Sequence, residues 1–128
     1  TGGTIAGIIN SIMDHQKVIG FPAIKGSQKL EKDIKSWVFN KNFKLINSCT
    51  SNGYGKLNNH IIDFINTFYK SHKIPLDGVY TGKMMFQIFN LVSSDYFPPG
   101  SSILVIHSGG LQGNMGLNER FGLQLPIN

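Results

Sequence analysis

The stretch Ser101-Ser102-Ile103-Leu104-Val105-Ile106-His107-Ser108-Gly109-Gly110-Leu111-Gln112-Gly113 decides how the rest of the chain is read. Its apolar run of β-branched residues and leucine is too short for an ordinary helix. It predicts a strand covered on both faces, and such strands belong to parallel sheets. The run then breaks into His107-Ser108-Gly109-Gly110. In open α/β sheets ligands bind beyond the carboxyl ends of the strands, where a hydroxyl and two glycines can meet a small molecule closely. Ser108 is therefore a candidate ligand contact; the plainer alternative is that a serine and two glycines only turn the chain.

Residues 95–100, with Pro98-Pro99, form a turn into that strand, and residues 84–92 before them read as a helix buried on most sides, its methionines serving as core filler. Leu76-Asp77-Gly78-Val79-Tyr80-Thr81-Gly82-Lys83 is a polar connector. Ahead of it, Ile61, Ile62, Phe64, Ile65, Phe68 and Tyr69 give the period of a long helix, capped by Asn58 or Asn59 and ended by Pro75, with His60 and His72 on its exposed side. Thr50-Ser51-Asn52-Gly53-Tyr54-Gly55-Lys56 is a loop that holds Tyr54 between two glycines. Lys17-Val18-Ile19-Gly20-Phe21-Pro22 and Phe43-Lys44-Leu45-Ile46 are short strands. Between them Ser27 can cap a helix whose Leu30, Ile34, Trp37 and Val38 stripe is core, while Lys29, Lys32, Asp33 and Lys35 face water. The tail adds two glycines and Arg120-Phe121.

The first residues carry chemistry of their own. Thr1-Gly2-Gly3-Thr4 opens directly into Ile5, Ile8, Ile9 and Ile12 at helical spacing. A glycine-rich turn feeding a helix start presents backbone N–H groups and the positive end of the helix dipole, which favour a phosphate or carboxylate; a simple helix cap is the alternative. The spacing is neither that of a Walker A loop nor that of a dinucleotide fingerprint. Phosphate loops normally follow a strand, and the sequence opens on this one, so the reading is of a chain that begins within a motif.

With 128 residues, 41% hydrophobic content and 15 glycines, the composition fits one α/β domain. The net charge of +5 comes from lysines, with Arg120 the only arginine. Phosphate and base readout recruit arginine, and these lysines are scattered along helices, so nucleic acid is not an expected partner. A single cysteine, Cys49, excludes an internal disulfide and cannot hold zinc alone, in keeping with a reducing compartment. No apolar run approaches the length of a membrane span and no signal peptide is visible, so neither metal nor membrane is expected and the expected location is the cytoplasm.

Taken together, the Thr1 loop and the connectors Gly53-Tyr54-Gly55, Tyr80-Thr81-Gly82-Lys83 and His107-Ser108-Gly109-Gly110 resemble, in order, the C-terminal part of the D-cysteine desulfhydrase and 1-aminocyclopropane-1-carboxylate (ACC) deaminase family. These are pyridoxal-phosphate enzymes of the tryptophan synthase β-like fold (fold type II). The resemblance covers residues 1 to about 113. It implies a three-layer α/β sandwich with a mostly parallel sheet, of which this chain is the C-terminal part of the large, cofactor-binding domain. It implies pyridoxal 5'-phosphate as cofactor, held at its phosphate by Thr1, Gly2, Gly3 and Thr4. Ser108, with Gly109 beside it, matches the position whose hydroxyl meets the pyridine nitrogen, and Tyr54 and Tyr80 match the two active-site tyrosines near the substrate. Thr81 departs from the Tyr-Glu-Gly-Lys that ACC deaminases resemble here, and Tyr-Thr-Gly-Lys followed by His-Ser-Gly-Gly looks more like the desulfhydrase side.

Lys83 is rejected as the cofactor-bearing lysine, because the resemblance puts it at a helix start and the family's lysine well upstream of the phosphate loop. His107 is read as a hydrogen-bonded structural residue. The implied activity of the intact protein is removal of a proton from an amino-acid substrate with release of ammonia and an α-keto acid, in a homodimer, while residues 1–128 alone are expected to be inactive. The alternative from another class is a non-catalytic α/β module that binds an anion or a phosphorylated ligand through the Thr1 loop.

Overall fold

The computed structural model describes residues 2–23, 27–39, 42–47 and 57–127, so Thr1, Cys49 and Tyr54 lie outside the described residues. The chain divides into two compact units, Thr1–Gly53 and Tyr54–Asn128.

In the first unit, Gly2 stands in the left-handed region at φ 86° and leads into α1 (Gly3–Ser11). Only glycine adopts that conformation without cost, and a Cβ added there would lie 2.9 Å from Ile34 Cγ1. The start of α1 is thereby held against α2 (Ser27–Trp37). Ala6 and Ile9 of α1 pack with Ile34 and Val38 as the buried cluster of this unit, flanked by Ile5, Val18, Leu30, Phe43 and Leu45. Strands β1 (Val18–Gly20) and β2 (Phe43–Leu45) pair in parallel, with Val18 opposite Phe43 and Gly20 opposite Leu45. A parallel pair needs a crossover, which α2 supplies.

Both short strands and the helix between them are where the sequence puts them. Trp37, however, is not core: it is 50% exposed. The buried line runs Leu30, Ile34, Val38, and Trp37 stands one position off it as the last residue of α2. The end of that helix is tied down instead by Asn10, which donates to the Trp37 carbonyl and accepts from the Phe39 N–H, each at 3.0 Å.

The second unit is built on α3 (Asn59–His72) and α4 (Thr81–Ser93). Asn58 caps α3 by accepting the Ile61 N–H at 2.9 Å, and Lys73 closes it in the left-handed conformation at φ 58°. Ile61, Ile65 and Phe68 form the core with Leu76 and Leu125. Phe64 meets Phe86 and Phe89 of α4 edge-on, each pair of ring centres 5.4 Å apart. Gly82 permits the close approach of the two helices, since a Cβ there would lie 2.7 Å from both Ile65 Cγ1 and the Asp77 carbonyl oxygen. His60 and His72 are exposed, as expected.

Helix α4 is less buried than its apolar sequence suggests. Leu91 is covered, but Phe89 and Val92 are about half exposed, leaving part of its surface open. A further helix, α5 (Gln112–Phe121), occupies the segment that follows Gly110; its Gly113 and Gly116 weaken the periodic signal that would have announced it.

The expected strand at residues 103–106 does not form: residues 101–110 are neither helix nor strand, and Leu104 is 87% exposed. A strand exists through its partners, and among its described residues the second unit contains no strand to pair with. Taken by itself, then, the chain shows helices and a small two-stranded parallel sheet, compatible with α/β.

Candidate functional site

In the second unit the two connectors singled out from the sequence are brought together. The first, residues 75–83, turns sharply into α4 around the carboxylate of Asp77, which is fully buried. Asp77 Oδ1 accepts the N–H groups of Val79 and Tyr80 at 2.8 and 2.7 Å, and Oδ2 accepts the Thr81 N–H at 2.7 Å and the Thr81 hydroxyl at 2.6 Å. An acidic side chain suits this position, because the opening turn of a helix offers donors without intrahelical partners and the positive end of its dipole. The Thr81 hydroxyl also accepts the Asp77 N–H at 2.9 Å, so that side chain and backbone of the two residues are laced together.

The second connector, residues 107–110, is tied to the first by His107 and approaches it again at Gly110. His107 Nε2 stands 2.9 Å from the Pro75 carbonyl, and its Nδ1 accepts the Gly109 N–H at 3.2 Å. The acceptor role of Nδ1 puts the ring proton on Nε2, which donates to Pro75. The structural role expected of His107 is what it performs. Gly110, at φ 102°, lies against Asp77: a Cβ there would be 3.2 Å from Asp77 Cγ. From behind, the fully buried Asn114 of α5 accepts the Gly78 N–H at 2.8 Å and donates to the carbonyls of Leu76 and Pro126 at 3.0 and 2.7 Å.

The predicted site residues fall as follows. Tyr80 is 52% exposed at the start of α4, Thr81 is buried on Asp77, and Ser108 and Gly109 are exposed on the turn between His107 and Gly110. Gly2, Gly3 and Thr4 form the N-terminal end of α1 in the first unit, where the first intrahelical bond runs from the Ala6 N–H to the Gly2 carbonyl at 3.0 Å. The amides ahead of it are the outward-pointing donors of a helix start, no acidic residue occupies the first turn, and a Cβ at Gly3 would meet nothing within 4 Å. That donor set and open approach fit a phosphate. Lys83 is buried at the start of α4, in the helix position on which its rejection rested. Among the described residues, no group of three or more His, Cys, Asp or Glu is placed to hold a metal ion, and no helix is long and apolar enough to cross a membrane.

Asp77 and Asn114 went unrecognised in the sequence. For Asp77 a signal existed: an aspartate four residues ahead of a threonine, just before an apolar helix, is a helix-start pattern. For Asn114 there was none, since its partners lie 12 to 38 residues away from it in the chain.

No family model matches the chain. It is similar to a 1-aminocyclopropane-1-carboxylate deaminase of Cyberlindnera saturnus, 30% identical over 124 residues, which covers 86% of this chain and 36% of that protein. Two further similar proteins, whose names give the same activity provisionally, come from Pyrococcus furiosus and Pyrococcus abyssi. They are 25% identical over 133 residues and 28% over 126 residues, covering 94% and 88% of this chain. The chain spans 36–40% of the length of these relatives.

Proposed function

We infer that this chain is the C-terminal part of the large domain of a pyridoxal-phosphate-dependent lyase or deaminase of the D-cysteine desulfhydrase and ACC deaminase family. The observation that carries this reading is the similarity to proteins named for ACC deaminase, which extends over 86–94% of the chain. In the complete domain the parallel pair β1 and β2 belongs to the sheet of a three-layer sandwich.

Pyridoxal phosphate supplies an electron sink for carbanion chemistry beside an amino group. The residues of this chain bind and orient. Amides of Gly2, Gly3 and Thr4, with Thr1, take the phosphate at the start of α1, where the helix dipole favours an anion. Ser108 offers a neutral hydroxyl to the ring nitrogen. Because a neutral partner does not hold that nitrogen protonated as a carboxylate would, more of the proton handling falls to protein groups. Tyr80, exposed beside the turn that carries Ser108, holds or moves a proton at the substrate, and Tyr54 is its companion. The products are ammonia and an α-keto acid, with sulfide when the substrate is D-cysteine. Thr81 in place of glutamate favours D-cysteine over ACC.

The test uses the protein of full natural length. Borohydride reduction after incubation with pyridoxal phosphate is expected to fix the cofactor to a lysine outside residues 1–128, and ammonia release is expected with D-cysteine or ACC. A full-length protein that retains no cofactor after reduction overturns the reading.

A further inference from the structure

We propose that Asp77 is a positioning residue: one buried carboxylate sets both the corner that carries Tyr80 and the turn that carries Ser108. The functional part of this inference rests on the roles given to those two residues above. Its structural part stands on the geometry of the second unit.

Four donors converge on the carboxylate, two on each oxygen, and they are the backbone of residues 79–81 and the hydroxyl of Thr81. The direction in which Tyr80 leaves the chain is therefore fixed by Oδ1. The turn 107–110 is tied at its beginning by His107 on the Pro75 carbonyl, and at its end Gly110 closely approaches Asp77, where an added Cβ would lie 3.2 Å from Cγ. Ser108 and Gly109 lie between these two points. A displaced Asp77 side chain shifts the Gly110 end of the turn and the Tyr80 corner together, because the carboxylate that accepts the Tyr80 N–H is also the group that Gly110 closely approaches. Aspartate is required for this, and asparagine does not replace it. An amide offers one acceptor oxygen, and its NH2 group, put where Oδ2 stands, faces the N–H of Thr81 donor to donor and no longer accepts from the Thr81 hydroxyl. The side chain must then move, and the space into which it can move is bounded by Gly110.

Hydrogen exchange on the cofactor-free, full-length protein reads this directly. In Asp77→Asn the amides of residues 79–81 and those of residues 109–113 are expected to exchange faster together, by about tenfold or more, the equivalent of one charge-assisted hydrogen bond, while α3 keeps its protection. Should Asp77→Asn fold poorly, Thr81→Val removes one donor to the carboxylate and the acceptor of the Asp77 N–H with little change of shape, and is expected to loosen both segments. Thr81→Ser, which keeps the hydroxyl, is expected to leave both as in the wild type. Loosening confined to residues 79–81 overturns the proposal, since the carboxylate would then hold only its own helix end.

The kinetic counterpart is a double-mutant cycle on the loaded enzyme with D-cysteine and ACC. Asp77→Asn alone is expected to lower kcat by about a hundredfold with little change in KM, the scale of a small misplacement of a catalytic group. Combined with Tyr80→Phe, it is expected to lower kcat little further than Tyr80→Phe alone. Losses that multiply overturn the positioning role. A wild-type protein without cofactor defeats the functional reading instead, and the exchange experiment still decides whether Asp77 couples the two segments.

Discussion

Asn114 makes three hydrogen bonds from a fully buried amide, to backbone groups of Leu76 and Gly78 in one connector and of Pro126 in the tail. Asn114→Ala leaves the Gly78 N–H and two carbonyls without their partner in a place from which water is excluded. A loss of about 3 kcal/mol in urea unfolding is expected. Asn58→Ala, which removes the cap of α3 at a partly buried position, is expected to cost about 1 kcal/mol by the same measurement. These two asparagines differ in legibility for a physical reason. Asn58 acts on an amide three residues away, so its role is written in local sequence. The role of Asn114 depends on where residues 76, 78 and 126 arrive after folding. Tyr80 and Ser108 are a third case: glycine-bounded connectors mark them as exposed chemistry, but the carboxylate that holds their surroundings is silent in any count of periodicity.

At the scale of elements, α1 begins and α3 ends on a left-handed residue. The left-handed residue before α1 is glycine and the one after α3 is Lys73. Gly2→Ala is expected to destabilise the first unit by about 1–2 kcal/mol from backbone strain alone, before the contact with Ile34 is counted. Lys73→Gly relieves the same kind of strain, and a gain of up to about 1 kcal/mol is expected; thermal unfolding of the two variants should therefore move in opposite directions. The helices α1 to α4 were readable because each repeats apolar residues at helical spacing over a sufficient length. Helix α5 was not, because two glycines and an asparagine directed inward dilute its apolar face. The exposed side of α4 has a similar origin: an apolar sequence states what a helix can bury, not what is present to bury it.

At the scale of the molecule, the parallel sheet foreseen in the sequence is present among the described residues only as β1 and β2, while the apolar run that suggested it stands unpaired. Residues 103–106 carry Ile103 and Ile106 nearly half exposed and Leu104 almost fully so. An exposed apolar segment with backbone groups outside any helix or strand invites association with another chain. The 128-residue chain is accordingly expected to sediment as concentration-dependent oligomers, and Leu104→Lys is expected to shift it toward monomer. An unchanged distribution in Leu104→Lys would assign any association to another surface. The pairing of Val18 with Phe43 bears on how the chain is made. No hydrogen bond between those strands can form until all of α2 and the residues on either side of it have been gathered into a closed loop, whose entropy is lost before the first strand contact repays it. The turn around Asp77 closes within four residues and needs no such wait. Folding should thus begin in the later half of the sequence, and the strands that come first in the chain should be among the last to lock.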